Sequence, residues 1–304
     1  MPTPMSSGNF GDLINKRITK IFYNTFDNLP SMIGELYDVL TSSDSFEQWS
    51  EIGALGDFTE WNGQVVYQDQ SQGYDVTATH LEFVSGIQVE RKLFDDDRHN
   101  VWQARPVALA DAAFRSREKH AARPLNNAFS TDTYFYSNTE NVALCSNSHT
   151  TTSGSSTATG FDNLTTSSLT AVSLAANRLT MKYFRDDKAN SISLMPDELW
   201  VPIDLEEQAW EIVNSEGKFD TALNNPNFLK GKMSVKVYQW LTDVNNWFLM
   251  DSSKKKQMLV WWDRIPLEFG QVEDFDTYTA KWRAYMRYSN MWRDWRFIIG
   301  SQVS

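Results

Sequence analysis

The sequence predicts an α+β protein. Strands of alternating character run through 74–89 and 281–288, and a long helix is expected over about 97–121. A second helical pattern runs from Leu169 to Tyr183. Alternation at period two marks half-exposed strands, and steps of three and four mark an amphipathic helix. The 304 residues are roughly two ordinary domains' worth of chain, enough for a large core without a disulfide or metal staple.

The N-terminal stretch begins with Pro2, Pro4, Ser6, Ser7 and Gly8, an extended arm. Leu13, Ile14, Ile18, Ile21 and Phe22 then have helical spacing, and Pro30 ends that helix. Met32, Ile33, Leu36, Tyr37 and Leu40 predict another short helix, followed by Phe46, Trp49 and Ile52.

Residues 62–94 read as a long hairpin. Asn62-Gly63 is a turn signal, Val65, Val66 and Tyr67 a short strand, and 68–73 a polar tip. Tyr74, Val76 and Ala78 alternate with Asp75, Thr77 and Thr79, and Leu81, Phe83, Ile87 and Val89 carry the pattern on. A two-stranded ribbon is at best marginal alone in water, so this one needs a surface to lie on, in its own domain or on a neighbouring subunit.

Asp95-Asp96-Asp97 could hold a metal, but carboxylates at a helix start are favoured by the helix dipole, and that reading is preferred. In the long helix Val101, Leu109, Ala112, Ala113 and Phe114 form the apolar stripe, with Arg115, Arg117, Glu118 and Lys119 opposite. Pro106 must sit in its first turn or kink it, and Pro124 marks its end.

Residues 137–168 are rich in Ser, Thr, Asn and Gly and predict a surface loop. Ser168 can cap the next helix, with Leu169, Val172, Ala176, Leu179 and Tyr183 as its apolar positions. Met195 to Pro202 is a short strand closed by proline, and Asp204 can cap a helix that buries Ala209, Ile212 and Val213. Asn224-Asn225-Pro226-Asn227 is a turn, and Val235 and Val237 start a strand. Asp243 to Asn246 turns into Trp247-Phe248-Leu249-Met250. Lys254-Lys255-Lys256 reads as a solvated hairpin tip before the strand Leu259-Val260-Trp261-Trp262. Trp282, Ala284, Met286 and Tyr288 then alternate with Lys281, Arg283, Tyr285 and Arg287, and an aromatic strand closes the chain over 291–299. There is no internal repeat.

Composition limits the chemistry. A formal charge of −11 speaks against a basic face for sequence-specific nucleic-acid binding, yet suits the wall of a nucleic-acid container. Cys145 has no partner thiol, and four scattered histidines cannot complete a cysteine–histidine zinc site. No signal peptide is expected, and no run approaches the ~18 apolar residues of a membrane helix. Phosphate-loop, nucleophile-elbow, zinc-protease and dinucleotide motifs are missing. His80, His99, His120 and His149 lack recognisable catalytic partners, and Asp186-Asp187 and Glu206-Glu207 read as ordinary surface pairs. No catalytic residue, cofactor or metal is therefore assigned. The 12 Trp, 11 Tyr and 18 Phe are heavy for this length and point either to an aromatic core or to apolar surface buried between subunits.

Three segments carry a family resemblance. Leu194-Met195-Pro196-Asp197-Glu198-Leu199-Trp200-Val201-Pro202 precedes a helix with Leu205 and Ala209. Asn224 to Asn227 leads to a valine-rich strand, Leu241-Thr242-Asp243 and Trp247-Phe248-Leu249. Phe94-Asp95-Asp96-Asp97 enters the long helix. In this order the chain resembles the Mu-like major head subunits of tailed bacteriophages, which have the Hong Kong ninety-seven-type capsid fold.

The resemblance implies an arm with short helices over 1–60, an extended loop over 61–94 and a spine helix of the peripheral domain over 95–127. It implies an axial domain over 128–270 and returning peripheral strands over 271–304. It implies a major capsid protein forming hexamers and pentamers in an icosahedral or prolate shell around double-stranded DNA, assembled in the host cytoplasm and located in the virion. The expected partners are further copies of the chain, a separate scaffold, a portal and decoration proteins, with no membrane. Ile14, Ile18, Phe22, Tyr67, Tyr74, Val76, Leu81 and Phe83 are the candidate inter-subunit contacts.

Some relatives weld their shells through a lysine in the extended loop. Here 62–90 has none, so no such cross-link is expected. A large cleaved prodomain is not expected either. The alternative is a decoration or tail-fibre surface-binding protein, and an enzyme with an unrecognised site is a third class.

Overall fold

The computed structural model describes residues 11–90, 101–152, 160–217, 226–274 and 279–303, with side chains from residue 18 onward except at 101–103, 273 and 274. The described elements build three sheets and six α-helices.

Helix α1 (Gly11–Asn28) leads through the single turn α2 (Ile33–Leu36) into strand β1 (Asp38–Thr41). Strands β2 (Phe46–Ile52), β3 (Gln72–Thr79) and β4 (Leu81–Glu90) precede the 26-residue helix α3 (Val101–Asn126). Then come β5 (Tyr136–Asn138), β6 (Leu164–Thr165), α4 (Ala171–Lys182), β7 (Glu198–Val201), α5 (Glu206–Asn214), β8 (Ser234–Val237) and β9 (Trp247–Met250). Helix α6 (Ser252–Met258), β10 (Leu259–Asp274), β11 (Thr279–Trp292) and β12 (Ile298–Ser301) complete the order.

One sheet has the order β1-β10-β11-β4 and is carried by the long antiparallel ribbon β10–β11. Helices α1 and α3 pack together on one of its faces. Phe22 stacks on Phe269 at 4.5 Å, and Ile18 is buried with Val89 and Trp282. The alternation read at 282–288 holds: Trp282, Ala284, Met286 and Tyr288 all point inward. A second sheet, β6-β12-β9-β7-β8, is buried on both faces and carries α4 against β12 and α5 against β7 and β8. A small third sheet, β2-β3-β5, is antiparallel throughout.

The sheets meet around α3. Tyr288 stacks on Phe83 and on Trp261, at 4.5 and 4.7 Å. Arg117 lies over the Trp261 ring and pairs with Asp263 through two 3.0 Å contacts. The buried Glu118 carboxylate accepts from Ser31 Oγ (2.7 Å), Met32 N (3.2 Å) and Tyr238 OH (3.3 Å). It thereby ties the α1–α2 connection, α3 and the residue after β8 together.

Several sequence expectations change. The ribbon around 62–94 is not a self-paired hairpin. Strand β3 pairs with β2 upstream of the loop, and β4 pairs with β11 in a different sheet. The chain changes sheets at His80, which bridges Ser289 Oγ (2.9 Å) and Ser42 Oγ (3.0 Å). Val65, Val66 and Tyr67 form no strand, and Leu40 lies in β1 and not in a helix.

Helix α3 runs two residues beyond Pro124 with Pro106 inside it, and Glu118 is buried, not solvated. Thr170, not Ser168, caps α4 through a reciprocal pair of bonds with Ser173. A short 3₁₀ turn (Ile203–Leu205) precedes α5, so Asp204 caps nothing. The lysine run is helix α6, capped by Asp251, and Lys255 is buried.

The stretch 137–168 is only partly a surface loop, because Leu144, Cys145, His149, Phe161 and Asn163 are buried. Strand β10, which pairs with β11 in the four-stranded sheet, begins at Leu259, and the last strand, β12, joins the five-stranded sheet. The acidic segment 94–97, His99, Asn224 and Asn225 lie outside the described residues.

Candidate functional site

The exposed loop 53–71 stands out from the rest of the surface. Its sequence carries Gly53, Gly56 and Gly63, which disfavour both helix and strand, and it has no helical or strand period. Backbone pairing is replaced by side-chain amides. Gln68 Oε1 accepts from Gly56 N at 2.6 Å and its Nε2 donates to Asp57 O at 3.2 Å. Gln70 Nε2 donates to Gly53 O at 3.2 Å.

This scaffold holds large apolar side chains in water. Phe58 is 96% exposed, Tyr67 90%, and Ile52, Leu55, Trp61, Val65 and Val66 are exposed with them. So many exposed large apolar side chains within one short segment mark a surface that gains from being covered. The loop carries Asp57, Glu60 and Asp69 and no basic residue.

The loop root is fastened to the body. Asp187 accepts from Ala54 N at 2.7 Å, and Gly53 N donates to Ser71 O at 2.8 Å. A Cβ on Gly53 would stand 2.6 Å from Asp187 Oδ2, so glycine permits this close approach. Beneath, the buried Arg296 guanidinium donates to Glu51 Oε1 (3.1 Å), Asp294 Oδ2 (3.0 Å) and the Arg185 carbonyl (2.9 Å). Burial, and then the nearby Asp294 charge, raise the Glu51 pKa even though Arg296 opposes the shift.

A surface of opposite character lies on the four-stranded sheet. Gly86, Arg283 and Gly270 stand in register on three adjacent strands. With no side chain on either flank of Arg283, they form the floor of a trough of about 710 Å³, whose lining includes Gln88, Val272 and Lys281. Arg283 and Val272 are exposed.

Of the eight predicted contact residues, Tyr67 is the one placed in open solvent. Val76, Ile18 and Phe22 are buried within their own chain, because the inward half of each amphipathic element is covered by β2, β5, α3 or β10–β11. Leu81 and Phe83 pack on the main core, and Tyr74, partly buried, bonds Thr150 Oγ1 at 2.6 Å. The Ile14 side chain lies outside the described residues. Phe58 and Trp61 were not singled out in the sequence, although large apolar residues without any period in a Gly/Gln-rich stretch are a readable sign of a surface awaiting cover.

No catalytic constellation forms among the described residues. His80 is buried in hydroxyl contacts, His120 bonds Tyr288 OH at 2.6 Å, and His149 stacks on Trp295 at 4.3 Å. Burial raises the Cys145 thiol pKa far above its ordinary range. No group of three or more potential metal ligands occurs among the described residues, and none of their helices is long and apolar enough to cross a membrane.

Comparison with known proteins decides the family. The sequence model described as phage capsid protein matches residues 74–300, most of the chain. The chain belongs to the phage capsid protein family. No curated protein sequence matches it.

The capsid fold is shared with solved structures at low identity. The capsid of cyanophage P-SCSP1u is 14% identical, with 90% of this chain and 88% of that one covered, at a TM-score of 0.58. The mature capsid of bacteriophage PhiM1 is 10% identical over 91% and 88%, at 0.58. The procapsid of bacteriophage JBD30 is 14% identical over 98% and 76%, at 0.51. The α+β architecture is thus the tailed-phage, Hong Kong ninety-seven-type capsid fold, and this capsid protein is a structural subunit of a shell.

Proposed function

We propose that the chain is the major head subunit, forming hexamers and pentamers that close into an icosahedral or prolate shell around double-stranded DNA. It acts as a structural protein without catalysis, is assembled in the host cytoplasm and ends in the virion. Scaffold, portal and decoration proteins are its further partners. Residues 53–71 act as the extended loop, α3 as the spine of the peripheral domain, and the five-stranded sheet as the axial domain. Family membership favours this reading over a decoration or tail-fibre module.

The observation that carries the proposal is the loop 53–71, whose apolar side chains have no cover in their own chain. The carboxylates of the loop, Asp57, Glu60 and Asp69, complement the trough around Arg283 and Lys281, so the loop of one copy lies over the four-stranded sheet of the next. Covering half a dozen such side chains removes on the order of 500 Å² of apolar surface, about 12 kcal/mol at roughly 25 cal/mol per Å². Association costs an estimated 4–15 kcal/mol, so one loop contact is close to break-even and many repeated contacts are needed. A closed shell supplies that repetition.

The test replaces Phe58, Trp61 and Tyr67 together with Ser. The unassembled variant should melt like the wild type while large particles vanish from negative-stain images. Particles of normal size and yield from the triple variant would refute the assignment.

A further inference from the structure

We propose that helices α4 and α5 are the two halves of a head-to-tail contact between axial domains of adjacent copies. This rests on the subunit reading above and names which surfaces meet within a ring.

Helix α4 buries Leu174, Asn177 and Met181 and turns a second apolar stripe outward. Val172, Leu179 and Tyr183 are 71%, 54% and 58% exposed, and Ala176 lies between them. The steps of four, three and four put all four on one helix face. The capping bonds between Thr170 and Ser173 define the start of this helix. The exposed charge at the end of this face is Lys182, with no carboxylate from 171 to 182, while the part-buried Arg178 turns aside to lie 5.6 Å over the ring of Phe228.

Helix α5 buries Ala209, Ile212 and Val213 and likewise shows a second face. Ile203, in the preceding turn, and Trp210 are 56% and 60% exposed and stand seven residues apart, with Glu207 between them. Asp204, Glu206, Glu207 and Glu211 surround them, and 203–214 has no basic residue.

Charge selects the pairing. Two α4 faces meeting would bring Lys182 of both copies together with no carboxylate between them, and two α5 faces would gather eight carboxylates. Only α4 against α5 sets opposite charges around matching apolar stripes, and like-charge juxtaposition is costly at an interface. The helices sit over different halves of the five-stranded sheet, α4 by β12 and α5 by β7 and β8. One copy can therefore present α4 to one neighbour and α5 to the other. A heterologous contact of this kind repeats around an axis and closes into a ring.

Cysteine cross-linking tests the geometry. The double variant Leu179→Cys/Trp210→Cys should oxidise to a ladder that ends at a closed ring of five or six chains. Either single variant should stay uncross-linked, because a head-to-tail contact never apposes two copies of one residue. Cys145 is 1% exposed and does not interfere. Dimers from a single variant, or no ladder from the double variant in a preparation that assembles, would overturn the pairing and leave the subunit reading intact. A wild-type chain that never assembles would remove both.

Charge reversal is the second arm. Lys182→Glu should raise the concentration needed for assembly about tenfold, and adding Glu207→Lys in the same chain should restore most of it. Melting of the unassembled variants reports whether they fold. No rescue by the second reversal in folded protein also counts against the pairing.

Discussion

The Lys255 ammonium and the Glu198 carboxylate form an ion pair beneath the Trp200 ring. Lys255 is 1% exposed, its nitrogen stands 4.9 Å from the ring centroid, and Trp200 Nε1 donates to the same carboxylate at 2.8 Å. Desolvation lowers the lysine pKa while Glu198 opposes the shift. Strand β7 of the five-stranded sheet and helix α6, far apart in sequence, are joined here.

Removing one partner should cost far more than removing both. Glu198→Ala leaves a buried ammonium without its counter-charge and should destabilise the fold by about 3–5 kcal/mol. The double variant Glu198→Gln/Lys255→Met should recover most of that loss. Urea denaturation of the two single variants and the double variant checks this, and a double-variant loss equal to the sum of the single losses would show that the two residues act independently.

His120 should make stability depend on pH. Burial, aided by nearby Arg123, holds its pKa down to about 4, below its ordinary value of 6.5. The folded chain therefore keeps the imidazole neutral where the unfolded chain already binds a proton. Stability should be present above about pH 6.5 and decline as pH falls toward 4, by on the order of 2 kcal/mol after allowing for solvent screening. His120→Gln should flatten that portion of the stability–pH curve, read from denaturation midpoints at pH 7 and 4.5.

Gly300 should resist substitution. A Cβ there would meet Cys145 Sγ at 2.7 Å and Phe129 Cε1 at 2.9 Å, inside a packed sheet. Gly300→Ala should cost about 1–3 kcal/mol by overpacking. Cys145→Ala in the same chain should recover part of the loss, because it empties one of the two collision sites. Thermal melts of the three variants decide the point.

The loop 53–71 should leave no covalent trace in the assembled particle. Residues 53–71 contain no lysine and no cysteine, so they lack the usual nucleophiles for an isopeptide or disulfide weld. Boiling assembled particles in detergent and reductant should release a single band near 35.0 kDa. A ladder of multimers would contradict this.

Much of the fold was legible because short-range periodicity reports it directly. Trp282 to Tyr288 alternate, the burial of Ala209, Ile212 and Val213 follows helical steps, and Trp247 to Met250 form an all-apolar central strand. The phase of α4 was not legible. The stripe at Val172, Ala176, Leu179 and Tyr183 is the outward one. The inward face is interrupted by Asn177, whose amide donates to Thr165 Oγ1 at 2.9 Å. A buried polar residue with a distant partner looks like a surface residue in one dimension.

The candidate site was half legible for the same reason. Tyr67 and the need for an outside surface could be read from the residues. Phe58 and Trp61 were passed over because the loop has no period to flag them, and Val76 was included because alternation says that a strand has two faces without saying what covers each. The burial of Lys255 and the anchoring of Lys256 are invisible in the local sequence because Glu198, Gly34 and Tyr37, which receive them, lie far along the chain.

By itself the sequence determined the strongly periodic elements, the acidic balance, the lysine-free loop and the motifs that match capsid subunits. These depend only on residue type and spacing. The tertiary structure decided which apolar faces are covered, that β3 pairs with β2 and β4 with β11, and that Lys255 is buried while Phe58 is bare. Burial is a property of what stands opposite, and what stands opposite is set by chain segments tens to hundreds of residues away.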